Sequence, residues 1–327
     1  MTRRLSISSS KAIYIQMKRL IIKTFFTILA PVVVFTFVML MCPDNLSKLT
    51  LEANVGLAYE RLDSLKDVNK VVIISGSNGS FGIESKMLED SLHLPVVNTS
   101  THAGIGVRMQ FEMYKDFLKR GDIVIFCPEY GSGDWRLYGE STLYRVLSTH
   151  LPKAYLKLSF RQWCSTFKYV GIHFWDAMDH RHYRYPFEGP YSSSSINRYG
   201  DIEYPREHQE VLNPSVVYFS NTMDEEATSY IKYVHDFAKS KGLILVYLPP
   251  ALIESGYQSQ ESQLCSLEQF MKDNNIPLQA SPGRYAFPDT LFYDTPYHLT
   301  MYGAHLRTLK MLEDVKRVLA EKKDKDE

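Results

Sequence analysis

The 327-residue sequence has few cysteines and no excess of charge of either sign. Its four cysteines form no C-x-x-C motif, and 37 basic residues are balanced by 37 acidic ones. Cysteines this few and scattered exclude a disulfide scaffold and give no sign of structural zinc. A formal net charge of +0 argues against a nucleic-acid-binding protein, which normally carries a basic excess or stripe. The hydrophobic share of 45% is too high for a disordered chain.

A long uncharged segment lies near the N-terminus. Residues 24–42 contain no charged side chain, and with residues 20–22 the segment reaches the roughly 20 residues needed to cross a bilayer. Basic residues on the N-terminal side and Asp44 after the segment favour a cytoplasmic N-terminus. We therefore predict a cytoplasmic basic tail over residues 1–19 and a transmembrane signal anchor in the lipid bilayer over residues 20–42. The main domain would then be extracytoplasmic, in a single-pass protein of the cell membrane.

The alternative for this segment is a cleaved signal peptide. Its apolar region would span roughly 7–15 residues and would be followed by small residues at a cleavage site. Here the apolar region is longer, and it ends in Leu40-Met41-Cys42-Pro43, which offers no A-x-A pattern. The uncleaved anchor is the preferred interpretation.

The remainder of the chain alternates short apolar runs with segments of helical period. Buried parallel strands are predicted at residues 71–74, 94–98, 122–127 and 243–248. Helices are predicted between and after them, including residues 83–92, 104–119, 143–178, 224–241, 261–274 and 300–322. This alternation is typical of an α/β protein with a parallel sheet. We assign a stalk or first helix to residues 43–67, the domain to residues 68–320 with an insertion at about 135–215, and a charged tail to residues 321–327.

Polar turns follow the strands at the end of the sheet where α/β proteins bind ligands. They lie at residues 75–80, 98–106 and 128–133, and a late loop, Phe292 to Leu299, adds an Asp and a His. A serine hydroxyl, an imidazole and a carboxylate are the parts of nucleophilic acyl transfer. In that chemistry the imidazole takes the hydroxyl proton, the carboxylate orients the imidazole, and N–H groups stabilise the oxyanion.

The order of these motifs resembles an SGNH (GDSL-like) hydrolase. The turn Ser75-Gly76-Ser77-Asn78 follows the first strand, as the family's nucleophile block does, and residues 98–106 match its glycine-donor block. Asp294 and His298 resemble the C-terminal block. More narrowly, the chain is similar to the membrane-anchored branch related to alginate O-acetyltransferases and the teichoic-acid D-alanylation protein. The resemblance covers roughly residues 68–315.

The resemblance implies a three-layer, flavodoxin-like parallel-sheet domain and a set of site residues. Ser77 would be the nucleophile, His298 the base and Asp294 its orienting acid, with the N–H groups of Ser77 and Gly104 as oxyanion donors. It also implies O-acetylation of an extracytoplasmic polysaccharide, with a membrane-bound O-acyltransferase as partner and no cofactor or metal. Deacetylation would use the same residues.

The sequence departs from the family pattern at two points. The family's third block usually offers an asparagine as oxyanion donor, whereas this chain has Glu129 after its third strand. Asp294 and His298 are four residues apart instead of three, so Asp289 or Glu129 is an alternative orienting acid, and Asn78 an accessory residue. These departures leave open a non-catalytic protein that binds or assembles glycans.

Two further patterns have competing interpretations. Gly76, Gly79 and Gly82 invite a phosphate-loop reading, but the spacing is not G-x-G-x-x-G and no GK[ST] ending follows. One cluster of two aspartates and two histidines has the chemistry of zinc ligands, but an ordinary polar loop is the preferred interpretation. Its members are Asp176, Asp179, His180 and His182.

Overall fold

The computed structural model describes residues 3–130, 137–178, 188–211 and 225–326. The helices in these ranges are α1 (Arg3–Met41), α2 (Leu46–Leu49), α3 (Asn54–Ser64), α4 (Ser77–Gly82), α5 (Ser85–Leu92), α6 (Val107–Glu112), α7 (Ser141–Thr149), α8 (Phe160–Met178), α9 (Glu225–Lys241), α10 (Glu254–Asp273) and α11 (Met301–Asp326). The strands are β1 (Val71–Ser75), β2 (Val96–Asn98), β3 (Ile123–Cys127), β4 (Ile244–Tyr247), β5 (Leu252–Ile253) and β6 (Ala286–Phe287).

Four strands form a parallel sheet in the order β2-β1-β3-β4. Val72 of β1 is in register with Val97 on one side and Val124 on the other, and Val124 in turn pairs with Leu245. The short strands β5 and β6 make a separate parallel pair. The predicted α/β class and parallel sheet are therefore confirmed, and β1 lies inside the sheet with the turn that carries Ser77 at its carboxyl end.

The sheet is buried on both faces, which explains its uninterrupted apolar strands. Val72 and Ile74 belong to a core shared with α3, α6, α7, α9 and α10, whereas Val71 and Ile73 belong to a core shared with α5 and α11. Successive side chains of a strand point to opposite faces, so each strand contributes to both cores.

Several helix boundaries differ from the sequence-based expectation. The helix predicted over residues 104–119 is reduced to α6. Gly106, with a positive φ of 84°, sets its start, and a 3₁₀ turn over Lys115–Phe117 replaces its second half. Residues 143–178 divide into α7 and α8, since Pro152 begins a separate 3₁₀ turn between them. The charged tail over residues 321–327 continues α11 as helix through Asp326.

The N-terminal region joins a long apolar helix to the domain. Among the described residues, α1 is the helix long and apolar enough to cross a membrane, with a candidate span of Lys11–Met39 and a mean hydropathy of 2.2. Its C-terminal end packs on α7 and α8. The segment over residues 43–67 forms α2 and α3, and α3 buries Val55 and Leu62 in the core, so this part belongs to the domain body and not to a free stalk.

Candidate active site

Ser77 lies at the carboxyl end of β1, beside the end of β3. Ser75 of β1 is in register with Cys127 of β3, so the two turns that follow these strands are neighbours. Gly76 separates β1 from α4, and Ser77 is the first residue of that helix. A Cβ added at Gly76 would approach Glu129 Oε1 to 2.6 Å. Glycine at this position therefore permits the close approach of the Glu129 carboxylate to the turn.

The structure brings Ser77, His298 and Asp294 together in one hydrogen-bonded chain. Ser77 Oγ lies 2.9 Å from His298 Nε2, and His298 Nδ1 lies 2.9 Å from Asp294 Oδ1. His298 is buried, whereas the Ser77 side chain is half-buried. With the Nδ1 proton directed at Asp294, Nε2 is left as the acceptor for the serine hydroxyl, which is the arrangement that a general base requires.

The loop between Phe292 and Leu299 accommodates the four-residue spacing of the Asp and His. Phe292 and Leu299 form an antiparallel bridge that closes the loop, and the Tyr293 N–H donates to the carbonyl of His298. Within the loop, Thr295 Oγ1 accepts the N–H of His298. These local bonds turn the chain so that both side chains lie on the same side of the loop.

Tyr191 is a fourth member of this chain of hydrogen bonds. Its hydroxyl donates to Asp294 Oδ2, and its oxygen lies 3.0 Å from His298 Nδ1. Burial raises the pKa of Tyr191, and the Asp294 carboxylate raises it further, so the phenol stays protonated as a donor. Burial also raises the pKa of Asp294, but the bonds from His298 and Tyr191 outweigh it and bring that pKa below its ordinary value. Asp294 is accordingly ionised at neutral pH.

Phe81 of α4 holds the imidazole in place. Its ring stacks on His298 with centroids 4.1 Å apart and planes 8° apart. Arg206 lies over the Phe81 ring at 5.2 Å and donates to the Phe81 carbonyl. Burial lowers the pKa of Arg206 to about 10, so it remains charged at neutral pH. The helix that begins with Ser77 thus also positions the base.

Glu129 occupies the space beside the nucleophile. Its Oε1 lies 3.0 Å from Ser77 Oγ and accepts the Asn78 N–H at 2.7 Å. The Asn78 side-chain amide is a more distant donor, at 3.4 Å. Both donors therefore lie on the carboxylate next to Ser77 Oγ, and N–H groups of this kind are what an oxyanion requires. In this structure the Glu129 carboxylate is bonded to them.

Asn78 is held from behind by a buried arginine. Arg307 of α11 donates to the Asn78 carbonyl at 2.7 Å and to Asn78 Oδ1 at 2.8 Å. Burial lowers the pKa of Arg307. A Cβ added at Gly82 would lie 2.6 Å from Arg307 Nη1, so this glycine makes room for the arginine. The glycines that invited a phosphate-loop interpretation therefore serve close packing at Gly76 and Gly82.

Two expected site residues lie in other contacts. The Gly104 N–H donates to His102 Nδ1 at 2.9 Å within a short 3₁₀ turn. The Asn78 N–H donates to Glu129 Oε1, the carboxylate oxygen beside Ser77 Oγ. Asp289 Oδ1 accepts the N–H of Ser255 at the start of α10. In this structure the Gly104 N–H is thus engaged within its own turn, and the acid bonded to the His298 ring is Asp294.

Metal ligation is not indicated within the described part of the chain. There, no group of three His, Cys, Asp or Glu side chains is placed to hold an ion. The side chains of the cluster around Asp176, with Asp179, His180 and His182, lie outside the described residues.

The sequence analysis did not single out five residues that build the site, namely Phe81, Tyr191, Asp201, Arg206 and Arg307. Tyr191 and Asp201 come from the insertion, and Arg307 from the last helix. Asp201 is buried and accepts from the Ser85 N–H and hydroxyl and from Asn98 Nδ2. It thereby ties the insertion to the end of β2 and the start of α5. Of these residues, only Arg307 could have been found from the sequence, because it is a charged residue among the apolar positions of an amphipathic helix.

The fold and the site together define an α/β protein with a Ser-His-Asp arrangement at the carboxyl end of a parallel sheet. No protein-family model matches the chain, and comparison with curated proteins finds no significant match.

Proposed function

We propose that this protein is an extracytoplasmic serine acyltransferase or esterase of SGNH type, with the three-layer arrangement of that family. The observation that carries the proposal is the hydrogen-bonded chain from Ser77 through His298 to Asp294, with both links at 2.9 Å. Nucleophile, base and orienting acid in mutual contact are the geometric signature of covalent acyl transfer on unrelated folds.

The reaction follows from the positions of these side chains. Ser77 Oγ attacks the carbonyl carbon of an ester while His298 Nε2 accepts the hydroxyl proton, and Asp294 stabilises the imidazolium that forms. The Asn78 N–H, once released by Glu129, donates to the oxyanion. Collapse expels the alcohol, which takes the proton from His298, and leaves an acyl group on Ser77. A glycan hydroxyl or water then attacks that ester with His298 as base, which gives transfer or hydrolysis.

The substrate and partner rest on the family resemblance. An acetyl group moved onto or off a cell-surface or exported polysaccharide is the reaction we propose, with the acyl group supplied through a membrane-bound O-acyltransferase. The helix α1 would hold the domain at the membrane, with the N-terminus in the cytoplasm. A reporter fused after residue 327 should then be active only outside the cytoplasm, and cytoplasmic activity of that fusion would contradict the location.

The direct test is labelling of the full-length chain in detergent with a serine-reactive fluorophosphonate. The probe should attach to Ser77, and Ser77→Ala should abolish both labelling and p-nitrophenyl acetate hydrolysis. Ser240→Ala is the matched control, because that serine is exposed on α9 and bonds only to its own helix. Equal hydrolysis by the folded wild-type and Ser77→Ala proteins would contradict the proposal.

A second candidate is a catalytically inactive protein that binds or assembles glycans. The observation that favours it is Glu129, since a carboxylate bonded to the Asn78 N–H opposes the negative charge of an oxyanion at the same place. Absence of labelling in the folded wild-type chain, together with retention on a polysaccharide column, would favour this candidate.

A further inference from the structure

Along much of helix α8 the polar and apolar sides are reversed relative to a helix of a water-soluble domain, although Val170 is buried in the core. Gln162, Thr166 and His173 point inward and are buried. The outward side carries a continuous apolar surface, which we call the α8 stripe. It consists of Phe160, Cys164, Phe167, Phe174, Trp175 and Met178. An amphipathic helix on a soluble domain places its apolar face toward the core, so this arrangement requires a non-aqueous neighbour.

The α8 stripe is narrow, aligned and free of charge. Its six residues fall within about 100° of the helix circumference at 3.6 residues per turn. Phe160 is 84% exposed and Trp175 is 74% exposed, and Leu156, in the turn just before α8, is 87% exposed. The basic residues Arg161 and Lys168 lie along one border of the stripe, where Arg161 pairs with Glu226 and Lys168 lies over the Tyr169 ring at 5.1 Å. Aromatic residues beside basic ones are typical of a helix at a membrane interface.

The position of α8 beside α1 identifies what covers the stripe. Phe35 and Met39 of α1 line one small cavity together with Trp163, Phe167 and Val170 of α8. Farther along both helices, His173 Nε2 lies 2.9 Å from the Cys42 carbonyl oxygen. Phe167 therefore lies level with the last part of the candidate span, Lys11–Met39. A helix held at that level has its outward face in the same medium as the outward face of α1.

We infer that α8 lies in the outer boundary of the lipid bilayer with the α8 stripe in contact with the acyl chains. The inference rests on the membrane anchor in the proposed function and adds a second, partly immersed helix to it. The anchor then has two contacts with the bilayer, and the domain, held through α8 as well as α1, has a defined orientation to the membrane surface. Trp175, beyond the level of Cys42, would lie among the headgroups, as interfacial tryptophans do.

The chain provides its own labelling site and a matched control. Cys164 lies in the α8 stripe, whereas Cys265 is exposed on α10 beside Glu261, Ser262 and Ser266, and Cys127 is buried. Full-length protein carrying Cys42→Ser and Cys265→Ser leaves Cys164 for a fluorescent nitrobenzoxadiazole maleimide, and Cys42→Ser with Cys164→Ser leaves Cys265. Trp175→Cys, with the other three accessible cysteines replaced, gives a second reporter in the stripe.

The labelled chains are reconstituted into phosphatidylcholine vesicles with plain or brominated acyl chains. The label at Cys164 should lose most of its emission in brominated lipid and resist aqueous iodide, whereas the label at Cys265 should respond in the opposite way. Quenching of the Cys164 label by iodide would overturn the inference, because the stripe would face water. Insensitivity to both quenchers would also overturn it, because a second copy of the chain would cover the stripe.

The same vesicles test the α1 anchor, the immersion of α8 and the acyl-transfer chemistry separately. Failure of the chain to float with the vesicles would refute the α1 anchor and α8 immersion together. Flotation without lipid quenching at Cys164 would refute only the immersion of α8. Fluorophosphonate labelling of Ser77 in the same vesicles reports the acyl-transfer chemistry independently of either result.

Discussion

Glu129 Oε1 lies 3.0 Å from Ser77 Oγ, almost as close as the 2.9 Å between that oxygen and His298 Nε2. Ser77 has one hydroxyl proton and two acceptors competing for it. When the proton points at Glu129, His298 Nε2 does not accept the hydrogen bond from the serine hydroxyl. The proposed acyl transfer would begin from that hydrogen bond. When it points at His298, the carboxylate faces the serine oxygen without a proton between them. In the proposed reaction, the substrate would therefore enter a site in which the Glu129 carboxylate competes for the Ser77 proton and opposes the charge of the oxyanion.

Glu129→Gln should raise the rate of Ser77 acylation. The amide keeps the size of the side chain, removes its charge and offers a donor to the oxyanion. One oxyanion donor is typically worth about 10²–10³ in rate, so a gain of at least about tenfold is expected. The measurement is the burst of p-nitrophenol from p-nitrophenyl acetate, with Glu261→Gln on the exposed face of α10 as the control. A slower burst in Glu129→Gln would show that the carboxylate takes part in the reaction.

Asp294→Asn should reduce acylation by about 10⁴-fold, the loss seen when the orienting acid of a triad becomes an amide. The reason is that Asp294 is the carboxylate bonded to His298 Nδ1, at 2.9 Å. Asp289→Asn is the matched control, since Asp289 accepts from Ser255 and an asparagine oxygen can do the same. The two variants are compared by kcat/KM for ester hydrolysis. Comparable losses in both would contradict the assignment of Asp294.

Tyr191→Phe should weaken activity mostly at acidic pH. The variant keeps the ring beside Phe81 but removes the hydroxyl that donates to Asp294 Oδ2. That bond is one cause of the lowered Asp294 pKa, so its loss raises the pKa and protonates the carboxylate at a higher pH. A hydrogen bond to a charged group contributes about 1.5–3 kcal/mol, so kcat/KM should fall at least about tenfold at acidic pH, where the variant's carboxylate is protonated. The pH–rate profile should lose its acidic side; an unchanged profile with lowered thermal stability would indicate a purely structural tyrosine.

Asp201 should make the folded chain less stable as the pH rises from 4 to 7. Burial raises its pKa from 3.8 to about 6, whereas the hydrogen bonds from Ser85 and Asn98 only partly offset that rise. Because the folded pKa exceeds the unfolded one, the folded chain binds the proton more tightly. The stabilisation is complete below about pH 4 and is lost as the pH passes about 6. The difference between the folded and unfolded pKa values of Asp201 corresponds to about 3 kcal/mol in the free energy of unfolding.

The measurement for Asp201 is thermal unfolding of the full-length chain in detergent at pH 4.5 and pH 7. Subtracting the same difference for Asp201→Asn removes the contributions of all other titrating groups. The wild-type chain should lose more stability than Asp201→Asn over this interval. An equal loss in both would show that Asp201 titrates in its ordinary range.

The strands and the nucleophile turn could be predicted because their signals are local. Continuous apolar runs such as Val71 to Ile74 mark strands buried on both faces, and the residues after such a strand must lie at the carboxyl edge of the sheet. The helix between residues 104 and 119 was predicted too long for a related reason. The apolar period continues through these residues, but Gly106 adopts a backbone conformation that a helix does not allow. The spacing of apolar residues does not reveal that conformation.

The sequence by itself determined the apolar N-terminal helix, the parallel α/β sheet and the placing of Ser77 after its first strand, since each depends on the order of neighbouring residues. Only the tertiary structure decided which acid meets His298, that Glu129 meets Ser77, and that Tyr191 joins them. The contacts of Ser77 with Glu129, of Tyr191 with Asp294 and of Ser77 with His298 link residues 52, 103 and 221 positions apart. Their geometry depends on the paths of the loops between the strands. The reversed faces of α8 likewise became visible only when the buried side of the helix was known, because an amphipathic period is the same whichever side faces the core.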